Sequence, residues 1–132
     1  MHIRAINKDT DKNFIIHSFM KSFVIPRLAD VERAPAVCRL ERSVLISYWH
    51  AWIEVMVDRG EFAIACSDDD ELHIVGYAVK SDNVLRFVYV KNIVRNNGIA
   101  KTAISSLGLD PKTCKTTFVT HSFSRAFRSA DH

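Results

Sequence analysis

Residues 85–108 read LRFVYVKNIVRNNGIAKTAISSLG. An apolar strand runs into a short polar loop and then into a helix. The first turn of a helix presents backbone N–H groups without intrahelical partners and a partial positive charge. Such an end is a ready anion site, and the diphosphate of a cofactor is a natural guest. Gly98 takes the Cβ out of the line of approach, and Ala100 leaves room for close passage in the same way. Arg95 and Lys101 add charge-assisted contacts. Taken alone, Arg95-Asn96-Asn97-Gly98-Ile99-Ala100 is also what a plain turn opening a helix looks like. Its setting gives it weight: it stands late in the chain, behind a long strand and ahead of an amphipathic helix.

Fewer residues further along could move protons. His121 closes the strand expected at Thr116–Thr120; it is either an acid or base at neutral pH or a satisfied histidine at a strand end. Ser122 and Ser124 follow it and could give a proton or cap a last helix. Lys112, Lys115, Arg125 and Arg128 make this end basic. They could meet a phosphate, attract nucleic acid or form a solvated face. His2, His17, His73 and His132 share no ligand spacing. Cys38, Cys66 and Cys114 form no CxxC pair, so neither a metal nor a disulfide framework is indicated.

The elements that must position these groups follow from periodicity. Ile3–Ile6 reads as a short strand. Asp9, Thr10 and Asp11 are good N-cap types, and Ile16, Phe19, Met20 and Phe23 then fall on one helical face. Pro26 marks the end of that helix, with a loop over 26–35. A longer helix begins near Pro35, its apolar stripe being Leu40, Val44, Leu45, Tyr48, Trp52, Val55 and Met56, and Gly60 stands at its C-cap. Strands are expected at 62–66, 72–79 and 84–90, joined as antiparallel neighbours. The third, VLRFVYV, is apolar on both faces, as a central strand covered on both sides would be. Tyr77 and Tyr89 read as core. A helix over 99–107 crosses back to the 116–120 strand, which makes that strand a parallel neighbour of 84–90. A short helix in SFSRAFRSA closes the order β-α-α-β-β-β-α-β-α. The fold class is α/β (α+β), with a mixed, mostly antiparallel sheet flanked by helices.

Composition narrows the classes further. The 132 residues fit one domain, 1–132. The formal net charge of +3 is too small an excess to argue for nucleic acid. No apolar run reaches a membrane span, and the N-terminus has no signal-peptide h-region. With unpaired cysteines, a cytoplasmic setting is expected.

With these residues in place, the chain resembles the GNAT superfamily of acetyl-CoA-dependent N-acetyltransferases. The motif is a strand followed by [QR]-x-x-G-x-[GA] and a helix, here Arg95 to Ala100. The preceding Phe87-Val88-Tyr89-Val90 is similar to the strand that lines pantetheine. Element order matches over most of the chain, and the motif over 85–120; the match extends to small, phage-type members. The resemblance implies transfer of an acetyl group from acetyl-CoA to an amine by direct attack. Val88, Tyr89 and Val90 would bond pantetheine through their main chain. Amides from Asn96, Asn97, Gly98, Ile99, Ala100 and Lys101 would hold the diphosphate. The acyl group would lie where the 116–120 strand splays from 84–90, beside His121. Trp49, His50 and Glu54 would border the acceptor cleft.

The resemblance implies a small-molecule or protein amine as acceptor and no metal. The family's tyrosine on the last helix has no counterpart, since no Tyr follows Tyr89. The chain ends at His132, ahead of the family's last strands; either a partner subunit, as in a homodimer, completes that lobe, or the acceptor side is open, or activity is lost. The alternative is a GNAT-like module that binds partners without turnover. A small basic nucleic-acid binder is disfavoured for want of an aromatic-basic motif.

Overall fold

The computed structural model describes residues 1–26, 28, 42–91 and 98–117. In chain order these form β1 (His2–Arg4), α1 (Lys8–Phe19), α2 (Arg42–Arg59), β2 (Glu61–Cys66), β3 (Ile74–Ser81), β4 (Val84–Val90), α3 (Ile99–Ser106) and β5 (Lys115–Thr116). The expected order holds through β5. The last helix, and the expected strand beyond Thr117, lie outside the described residues.

The five strands lie side by side in sequence order. The first three pairings are antiparallel, and β4–β5 is parallel, as a crossover through α3 demands. The β3–β4 hairpin turns on Asp82 and Asn83, at φ 55° and 61°. Two consecutive left-handed residues match the right-handed twist of the strands they join, and Asp and Asn tolerate that region.

The sheet separates two cores. On one face Ile15, Phe19, Phe23, Ile53 and Val57 of the first two helices pack on Ile64, Tyr77, Val79 and Phe87. On the other face Ile99, Ala100, Ala103 and Ile104 of α3 pack on Ala65, Ala78, Leu85, Val88 and Val90. The apolar groups on both sides of β4 are thereby used, with Phe87 and Tyr89 toward α1 and α2, and Val88 and Val90 toward α3.

Two helical expectations are corrected. The N-cap of α1 is Asn7, whose side chain accepts from Asp9 N; Asp9, Thr10 and Asp11 are inside the helix. Nor does Pro26 stop the helix: Ile25, Pro26 and Leu28 are helical. The turn before them, Met20–Val24, is a π turn in which Ile25 N–H reaches Met20 O. The wide π turn ahead of Pro26 is where the ladder accommodates a residue without a donor.

The inward face of α2 is also rotated from the expected stripe. Trp49, Trp52, Ile53, Met56 and Val57 pack inward, whereas Val44, Tyr48 and Val55 are exposed. The helix is apolar around most of its circumference, so periodicity alone offers two stripes. The rings of Phe19 and Phe23, 5.2 Å from Trp52 and 5.0 Å from Trp49 respectively, select one of them.

A polar clasp fixes β1 to α1. Arg4 donates to both carboxylate oxygens of Asp11, at 2.7 and 2.9 Å, and to Glu71 O. Asp11 is 1% exposed and also accepts from Asn7 N at 2.8 Å and from Thr10 Oγ1. Burial alone would raise its pKa, but the bonds from Arg4 and from the Asn7 amide outweigh it and hold it below the usual carboxylate range.

Tyr77 is fully buried, and desolvation pushes its phenol far above its ordinary pKa. Its hydroxyl donates to Ile15 O at 3.2 Å and lies 2.7 Å from Ser18 Oγ. Tyr77→Phe is expected to cost about 1 kcal/mol in a denaturant melt, the net worth of a buried hydrogen bond whose partners keep each other. An unchanged midpoint and slope would show that the hydroxyl contributes nothing to stability.

Candidate active site

The site is built from the end of β4 and the start of α3. Gly98 precedes α3 at φ 74°, in the left-handed region, and no side chain among the described residues caps the helix there. A Cβ on Gly98 would meet nothing within 4 Å. Thr102 closes the turn below it, donating from N at 3.0 Å and from Oγ1 at 2.9 Å to Gly98 O. The first-turn amides of Ile99, Ala100 and Lys101 have no acceptor within the helix. Ile99 and Ala100 are buried by side chain while Lys101 is half-buried at the rim.

Gly76 of β3 sets the height of this end. A Cβ there would lie 2.7 Å from Tyr89 O and 3.2 Å from Ile99 Cγ2. With hydrogen in its place, the first residue of α3 seats directly on the sheet beside Val90, the β4 partner of Gly76. Gly76→Ala should therefore lift the α3 start and cost about 1–3 kcal/mol, as overpacking does. Thermal melts check this; a variant of unchanged stability would mean that the helix start is not held at this height.

The pantetheine-lining candidates divide by face. Val88 and Val90 bury their side chains against α3, and Tyr89 lies on the other face, its ring 6.1 Å from Phe14 and 5.5 Å from Tyr77.

The β5 side of β4 begins at a bulge. Val79 pairs with Phe87, but Lys80 pairs with Leu85, which leaves Arg86 as an extra residue in β4. A bulge bends its strand and sharpens the twist. It falls where the described β4–β5 pairing ends, at Leu85–Thr116 and the Thr117 N to Leu85 O bond of 2.9 Å. Arg86 Nη1 donates to Thr117 Oγ1 at 3.1 Å, tying the two strands at that point.

The other candidates are dispersed. Trp49 belongs to the aromatic cluster of Phe19, Phe23 and Trp52. His50 and Glu54 point outward, with Nδ1 and Oε1 paired at 2.5 Å. They line a shallow groove on α2 with Lys12, Ala51 and Asp58. That groove is on the opposite face of the sheet from α3. Arg95, Asn96, Asn97, His121, Ser122 and Ser124 lie outside the described residues. Among the described residues, no cluster of three or more His, Cys, Asp or Glu is placed to hold a metal ion. Nor is any helix long and apolar enough to cross a membrane.

Sequence reasoning passed over Arg86 and Gly76. Arg86 had a signal: a single charge in an otherwise apolar strand has to be bulged, paired or exposed.

No family model and no curated protein matches the chain. Solved structures do. The apo form of YjaB from Escherichia coli superposes with a TM-score of 0.59 at 12% identity, over 98% of this chain and 78% of that one. The tetramutant of the BH1408 protein from Bacillus halodurans gives 0.56 at 14% identity, over 99% and 90%. A structure from Corynebacterium glutamicum described as histone acetyltransferase HPA2 and related acetyltransferase gives 0.50 at 16% identity, over 80% and 68%. The fold is that of the GNAT acetyltransferases.

Proposed function

We propose that the chain is an N-acetyltransferase that takes an acetyl group from acetyl-CoA and gives it to an amine. The observation that carries this reading is the uncapped start of α3 at Gly98, seated on the sheet just after β4 and beside the parallel β4–β5 pair. The N–H groups there suit a diphosphate, with Arg95 and Lys101 adding charge. From that end the pantetheine arm would run back along the main chain of Val90, Tyr89 and Val88. The thioester would then lie toward the bulge at Arg86.

The amine nitrogen attacks the thioester carbon, the C–S bond breaks, one proton leaves the nitrogen and the departing thiolate gains one. Main-chain N–H groups at the strand pair steady the oxyanion. His121 is the proposed base, and Ser122 or Ser124 the proposed proton source for the thiolate. Trp49, His50 and Glu54 stand as acceptor-side candidates; of the three, His50 and Glu54 are the ones accessible from solvent.

The test is calorimetric titration with acetyl-CoA, followed by thiol release with a panel of amines. Saturable binding and amine-dependent thiol release are expected. Absence of binding would overturn the reading. Binding without release by any amine would leave a coenzyme-binding module in its place.

A further inference from the structure

We draw no further inference here: the strongest candidate, the outward face of α2 carrying Val44, Tyr48, Ala51 and Val55 at helical spacing, is an unpartnered apolar face, and nothing among the described residues shows what covers it.

Discussion

Gly98→Asp is expected to fold with a loss of about 1 kcal/mol, the cost of a side chain at φ 74°, and to lose acetyl-CoA affinity by about 100-fold. Aspartate is among the few residues that enter the left-handed region at modest cost, and an added Cβ at Gly98 meets no neighbour. A negative charge at the start of α3 also favours the helix. The same charge would stand where a diphosphate has to approach. Displacing one charge-assisted hydrogen bond, worth roughly 1.5–3 kcal/mol, accounts for the size of the loss. Stability and binding should thus move apart in one variant, which a mere folding defect cannot produce. Thermal melts and acetyl-CoA titrations on the same preparation decide it. Unchanged affinity in a well-folded Gly98→Asp protein would remove the anion site from the account.

The clasp between Arg4 and Asp11 carries the largest stability effect expected in the molecule. Asp11→Ala leaves a guanidinium that is 16% exposed with its main partner gone. Breaking a buried pair costs about 3–5 kcal/mol; with Arg4 reachable by water, about 3 kcal/mol is expected. The pH dependence follows from the lowered pKa of Asp11. A carboxyl more acidic in the folded than in the unfolded chain adds stability above its unfolded value, near 3.8. That contribution is lost as pH falls through the lower, folded value. Denaturant melts from pH 7 down to pH 2.5 should therefore show an acid-side loss that is shallower in Asp11→Asn. Parallel acid curves for the two proteins would show that another group governs the transition.

These residues mark what a sequence can disclose. The β4 strand was readable to the residue because seven consecutive positions, Val84 to Val90, have one structural explanation. The start of α3 was readable because Gly98 and the amphipathic run behind it agree. The face of α2 was not, since its apolar residues go nearly all the way round and the choice belongs to Phe19 and Phe23. Asp11 looked like capping chemistry because its partner, Arg4, lies in another element, and only the packing of β1 beside β2 brings Arg4 against Glu71 O. The seat at Gly76 needed the register with Val90 and the proximity of Ile99, which are tertiary facts. Of the candidate site, the helix start at Gly98 could be read from local pattern. The amine-binding half depends on where two strands part, which no local pattern encodes.

The extra residue in β4 has a consequence for the chain as a genetic object. Inward and outward positions alternate along a strand with period two, and the insertion at 86 resets the count. Leu85 and Val88, three apart, therefore share a face. The strand is two alternation frames spliced at one codon. Deleting that codon would set Leu85 beside Phe87, make Lys80–Leu85 and Val79–Phe87 consecutive pairs, and leave Leu85, Phe87, Val88, Tyr89 and Val90 on the faces they already have. A deletion at 86 should therefore be better tolerated than one at 87, which would put Arg86 in the core position of Phe87, a contrast that a deletion scan of the hairpin would reveal directly.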